Sequence, residues 1–209
     1  MIQLSSSGSD MSVDAATLAS LQTEFRERHC IHVAGLLSPQ LLRTLLPRLE
    51  RAAFEETHYD GVGRDLCMVD SVVLQALHFV VNDPAWLRLV EAITDCAPLG
   101  CYLGRVYRML PDSGHAEDWH DDIAATRRVG MSVNLSSRPF EGGAFELRYR
   151  GEDAVRLEVH NTGLGDAILF RISDTLQHRV TEVTGAAAKT AFAGWFRTEP
   201  SYWDPTLQP

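Results

Sequence analysis

One stretch near the middle of this chain, Trp119-His120-Asp121-Asp122, has the residue types and spacing to bind a metal. His120 and Asp122 are two candidate ligands. A third, His178, stands in Leu176-Gln177-His178-Arg179-Val180. Two neutral imidazoles and one carboxylate on one face of an octahedron hold Fe(II) and leave three positions open. A 2-oxo acid such as 2-oxoglutarate can take two of those positions and O2 the third. The i, i+2 spacing lets both side chains leave one face at a strand end, because side chains on a strand alternate.

The spacing alone is a weak signal. Eight histidines and 28 carboxylates produce such pairs by chance, and the chain has three: His58-Tyr-Asp60, His115-Ala-Glu117 and His120-Asp-Asp122. Context separates them. His58 sits in a helical half and reads as a solvated loop residue. His115 follows a strand in a turn and reads as solvated or at most at a rim. His120 falls where a strand should end, and core strands follow it. His178 follows the buried run Asp166–Phe170, whereas His160 reads as a turn residue.

The last strand supplies a cation. Lys189, Ala191, Ala193, Trp195 and Arg197 share one face by alternation. A dicarboxylate bound to iron at one end needs a positive charge at its far end. Lys189, with two alanines leaving room beside it, fits that need; a buried lysine with no anionic partner would be costly.

The elements that must position these groups can be read in outline. Residues 1–12 are Ser/Gly-rich and are expected to be a disordered lead-in. Residues 13–209 read as a single domain: mainly helical support over 13–98, a β core over 99–199 and a tail over 200–209. Helices are expected from Asp14 to about Arg28, from Ser38-Pro39 to about Phe54 with Pro47 interrupting it, from Asp70 to Val81, and from Asp83-Pro84 to Cys96. A short strand is expected over 30–36 and a loop over 58–64. Beyond Pro98, strands are expected at about 102–110, 118–120, 128–135, 144–150, 154–159, 166–170, 177–183 and 189–198, set apart by Gly-rich turns. About eight strands suit a jelly roll, and helices followed by strands make the fold α+β.

Composition bounds the partners. The net charge of −9 argues against nucleic acid or an anionic membrane surface. Four cysteines form no C-x-x-C pair, so a reducing compartment, the cytoplasm, is expected. The apolar run 72–81 is too short to span a membrane.

From about Tyr102 to Arg197 the sequence resembles the Fe(II)/2-oxoglutarate-dependent oxygenases, nearest the prolyl-4-hydroxylase-like group, with the phytanoyl-CoA-hydroxylase group as the nearest alternative. The resemblance rests on ordered motifs: Tyr107, His120-x-Asp122, Arg128-Val-Gly-Met-Ser-Val-Asn134-Leu, Glu141-Gly-Gly-Ala-Phe-Glu-Leu147, Gly165-Asp-Ala-Ile-Leu-Phe170, His178-x-Val180, Lys189 and Gly194-Trp-Phe196. It implies a double-stranded β-helix and an oxygenase that decarboxylates 2-oxoglutarate to succinate and CO2 while oxidising a substrate C–H bond. It implies that Lys189 holds the far carboxylate of 2-oxoglutarate and that Tyr107 and Asn134 contact it. Related halogenases lack the carboxylate, so Asp122 favours hydroxylation, or another oxidation such as desaturation, over halogenation. Arg105, Trp119 and Arg127 lie near the expected mouth and, with Arg197, are candidates for holding a small-molecule or peptidyl substrate. A non-catalytic or isomerase-like cupin barrel is the alternative; it leaves Lys189 and Trp195 unexplained.

Overall fold

The structure, a computed structural model, describes residues 1–69, 71–160 and 162–200. The tail expected over 200–209 lies, from residue 201, outside the described residues, as does Asp70 at the expected start of the third helix.

The chain begins with a hairpin, β1 (Ile2–Ser5) and β2 (Gly8–Met11), where disorder was expected. Leu4 reverses that expectation. It is 1% exposed, its N–H donates to Leu36 O at 2.6 Å, and its carbonyl accepts from Ser38 N at 2.8 Å. A buried leucine and a paired backbone offset the ordering entropy that the Ser/Gly composition suggests would win.

Helix α1 (Ala15–Arg28) follows, with the Asp14 carboxylate accepting from Thr17 N, then β3 (Cys30–Val33). Helix α2 (Pro39–Leu49) starts at Ser38-Pro39 as expected and buries Leu41, Leu42, Leu45 and Leu49. It runs through Pro47, which was expected to interrupt it, and stops one turn early. The segment expected to be helix end and loop is instead a second hairpin, β4 (Phe54–Tyr59) and β5 (Gly63–Met68). Gly63, at φ 156°, has a structural reason: a Cβ there would lie 2.0 Å from Ala116 O of the neighbouring strand. Helices α3 (Ser71–Val81) and α4 (Pro84–Thr94) complete the support.

The β core then runs β6 (Cys101–Met109), β7 (Ala116–His120), β8 (Arg127–Asn134), β9 (Glu141–Gly142), β10 (Phe145–Tyr149), β11 (Leu157–Val159), β12 (Ala167–Arg171), β13 (Leu176–Val180), β14 (Val183–Thr184) and β15 (Lys189–Arg197). All eight expected strands are present. Their pairing order is β11-β10-β13-β7-β5-β6-β15-β8-β12-β3, with β4 added on β5 and β9–β14 a separate two-residue pair. The pairings are antiparallel.

Strand β15 shows how one sequence serves two surfaces. Phe192 and Phe196 are fully buried on the helix side, where Phe196 meets Trp86 and both meet Tyr102. Ala191, Ala193 and Trp195 face the other way and line a cavity inside the barrel. The helices therefore hold the outer face of the sheet, and the inner face is left for the site.

If the N-terminal hairpin is part of the folded core, Leu4→Ala should cost about 2–5 kcal/mol, the range for truncating a buried leucine. Denaturant unfolding checks this; a change under about 0.5 kcal/mol, as for an exposed position, would return residues 1–12 to the status of a loose lead-in.

Candidate metal centre and active-site cavity

The pairing of β13 with β7 sets His178 directly across from His120, with ring centroids 4.3 Å apart. Asp122 completes the group. Its Oδ2 lies 3.2 Å from His178 Nε2 and its Oδ1 3.8 Å from His120 Nε2. One ligand atom from each residue lies within 4.8 Å of the other two.

Asp122 reaches this place by a turn rather than by strand alternation. Strand β7 ends at His120, and Asp122 has φ 57°, a left-handed conformation that costs a non-glycine residue free energy. Its surroundings hold it there. Trp195 Nε1 donates to Oδ2 at 2.7 Å, and Arg127 Nη1 donates to the Asp122 carbonyl at 3.3 Å while lying 3.6 Å from Oδ1. Arg127 also stacks over the Trp195 ring at 3.5 Å. Burial pushes the Asp122 carboxyl up, but the facing His178 and the Trp195 N–H outweigh it and hold the group well below the usual carboxylate range.

The donor set fits a divalent metal. His120 Nδ1 is 2.6 Å from the carbonyl of Asp118, which can only accept. That contact puts the proton on Nδ1 and leaves the Nε2 lone pair facing Asp122, an outer-shell arrangement usual for metal-binding histidines. His178 is 5% exposed and is walled by Phe145 and Phe170, at 5.7 and 4.6 Å between centroids.

The triad opens on a cavity of about 290 Å³. Lys189 lies in the same cavity, 8% exposed, with Nζ donating to Gly143 O at 2.8 Å. No carboxylate of the described residues forms an ion pair with it. Burial pulls the amine down to about 8, although Glu117 favours its charged form. The Glu141-Gly-Gly143 turn makes this cradle: Gly143 has φ 57°, and a Cβ on it would press on the lysine chain at 3.0 Å. Between Lys189 and the triad, Ala191 pairs with Tyr107 and Asn134, and Ala193 with Arg105 and Ser132. Tyr107 lines the cavity and hydrogen-bonds Ser132. Burial raises its phenol.

Several expected substrate contacts are placed differently. Trp119 is not among the cavity-lining residues; it lies between the guanidinium groups of Arg148 and Arg179, at 4.1 and 4.6 Å. Arg197 is also outside the cavity, donating to Thr126 Oγ1 and Glu199 Oε2. Arg127 serves Asp122. Arg105 reaches the cavity but already pairs with two carboxylates, Asp65 at 2.9 Å and Glu117 at 3.4 Å, so it is poorly suited to hold a third. Asn134 stands at the wall, yet its amide donates to Thr162 O and Gly163 O and its carbonyl accepts from Ser136 N. It fastens a turn and offers a ligand little. His115 is buried, at 4% exposed, with Nδ1 accepting from Leu110 N, so it is not the solvated residue expected.

Glu117, Tyr59 and Ser132 line the cavity and escaped the sequence reading. Glu117 was hidden by a register shift. His178 pairs with His120 but Val180 pairs with Glu117, so β7 carries an extra residue against β13. That bulge turns Glu117 to the same side as His120, where strict alternation would separate them. Ser132 was readable, because it alternates with Asn134 on β8.

Residues 104–197 match the family model described as 2OG-Fe(II) oxygenase superfamily. An oxidoreductase of the 2OG-Fe(II) oxygenase family from Burkholderia pseudomallei is 16% identical, with a TM-score of 0.66 over 95% of this chain and 97% of its own. A prolyl-4-hydroxylase from Pseudomonas putida is 16% identical, with a TM-score of 0.63 over 87% and 99%. The 2-oxoglutarate-dependent epimerase SnoN of nogalamycin biosynthesis is 16% identical, with a TM-score of 0.63 over 94% and 92%. These likenesses establish a shared jelly-roll fold. No curated protein matches the sequence.

The lysine has a measurable cost. Its folded pKa, about 8, lies below its ordinary 10.5. Folding therefore carries the full penalty below pH 8, and the penalty fades as pH rises towards 10.5, because the unfolded chain binds more protons across that window. Ligand-free Lys189→Met should be more stable than wild type at pH 7, by up to about 3 kcal/mol. Denaturant titrations should show the gap closing by about pH 10.5; a pH-independent gap would contradict the burial of a charged amine.

Proposed function

We propose that the protein, whose residues 104–197 match the 2OG-Fe(II) oxygenase superfamily model, hydroxylates an unactivated C–H bond of a small molecule, an amino acid or a peptidyl residue. One observation carries this reading: a His-Asp-His cluster and a buried, anion-less lysine lie in one cavity with two alanines between them. A metal-binding barrel with no co-substrate has no need of the lysine.

In this reading His120, Asp122 and His178 hold Fe(II). Fe(II) held there would supply, with 2-oxoglutarate and O2 as co-substrates, the oxidising power for the C–H bond, with succinate and CO2 as co-products. The protein does the rest. The Asp118 carbonyl fixes the His120 tautomer, and Trp195 and Arg127 aim the Asp122 carboxylate. Lys189 takes the far carboxylate of 2-oxoglutarate, which replaces water around a desolvated cation with a charge-assisted contact. Ala191 and Ala193 leave the space that the co-substrate chain needs. Tyr107 and Ser132 bound its side, and Phe145 and Phe170 keep water from the His178 side of the centre. The four cysteines are free thiols, in keeping with a cytoplasmic location as part of this proposal.

The test is an anaerobic titration with Fe(II) and 2-oxoglutarate, followed by the visible charge-transfer band of the chelate. Wild type should develop the band and His178→Ala should not. Lys189→Ala should develop it only at roughly ten to a hundred times more 2-oxoglutarate, the cost of a lost charge-assisted hydrogen bond. Metal-loaded wild type without the band would overturn the reading.

A further inference from the structure

The cavity wall built from β5, β6 and β7 carries charge that the triad and Lys189 leave unused. Arg105 lies there with its guanidinium over the Tyr59 ring at 4.1 Å, between Asp65 and Glu117. Two carboxylates face one guanidinium, so the cluster has an excess of negative charge.

The two acids differ in access. Asp65 is 0% exposed, does not line the cavity, and holds the closer contact to Arg105. Burial, opposed by Arg105 and aided by Glu117, pushes its carboxyl up to about 6. Glu117 lines the cavity and is turned into it by the β7 bulge, on the side of His120. Among the described residues its ion pair is the longer, shared contact to Arg105. Lys189 lines the same cavity, and Glu117 favours its charged form. A dicarboxylate held at Lys189 would add negative charge to the cavity that Glu117 lines. A cation arriving on the open side of the cavity would restore the balance.

We propose that Glu117 determines specificity on the substrate side of this cavity, and that the substrate presents a protonated amine to its carboxylate. The inference rests on the oxygenase reading above and narrows its substrate class. An ammonium donates a charge-assisted hydrogen bond to Glu117, while its carbon body lies against Val62 and Val159 of the same cavity. An anionic group in that position would meet Glu117 and find Arg105 already paired twice.

The experiment uses butylamine and N-butylacetamide, which share a carbon chain and differ in charge. Each is titrated anaerobically into the Fe(II)–2-oxoglutarate protein, and the shift of the chelate band is read. Butylamine should shift the band saturably and N-butylacetamide should not. Glu117→Gln should still develop the chelate band at saturating 2-oxoglutarate but bind butylamine about tenfold or more weakly, the loss expected for a charge-assisted contact. Asp65→Asn relieves the same cluster outside the cavity and should keep butylamine binding, which separates a contact with the ligand from a general loss of charge. Equal response to the two probes, no response to butylamine, or unchanged affinity in Glu117→Gln would overturn the amine subsite alone. A wild-type protein that forms no chelate band would instead overturn the oxygenase reading beneath it.

Discussion

The architecture depends on one register: the antiparallel pairing of β7 with β13 that places His120 opposite His178. These residues are far apart in sequence and come together only if the jelly roll closes with the correct strands adjacent. A shift of one residue in either strand would turn one imidazole to the other face. The bulge in β7 adds a second consequence, because it brings Glu117 inward as well. Asp122 then depends on a separate device, a left-handed backbone held by Trp195 from the last strand and by Arg127 from the start of β8. Such a conformation costs about 1–3 kcal/mol and persists where its surroundings over-determine it.

The scaffold around this register divides its work by face. The sheet surface carrying Tyr102, Phe192 and Phe196 packs tightly on the helices, with Trp86 fully buried among them. The opposite surface of the same strands is deliberately small, with alanines at 191 and 193 where larger residues would fill the cavity. Close packing outside and vacancy inside come from the alternation of a single strand. Burial disfavours the charged amine of Lys189, so in the proposed function an anion bound there would couple the stability of this region to ligand binding.

Much of this was legible in the sequence because it obeys local rules. Gly-rich turns and alternation marked the eight core strands, Ser38-Pro39 and Asp83-Pro84 marked helix starts, and the triad with Lys189 followed from residue chemistry and order. What escaped depends on tertiary context. Phe54–Tyr59 is mostly polar and becomes a strand because β5 offers it a partner. Residues 2–11 look like a flexible leader until Leu4 finds its pocket. The bulge that exposes Glu117 to the cavity has no sequence mark. Trp119 and Arg197 carry suggestive chemistry but are taken by neighbours outside the cavity, and the Asn134 amide is taken by a turn.

The most direct test of the account is a crystal structure grown anaerobically with Fe(II) and 2-oxoglutarate. The account predicts one metal bound by His120 Nε2, the Asp122 carboxylate and His178 Nε2, with the far carboxylate of 2-oxoglutarate on Lys189 Nζ. A metal bound elsewhere, or a dicarboxylate that leaves Lys189 on the Gly143 carbonyl alone, would contradict it.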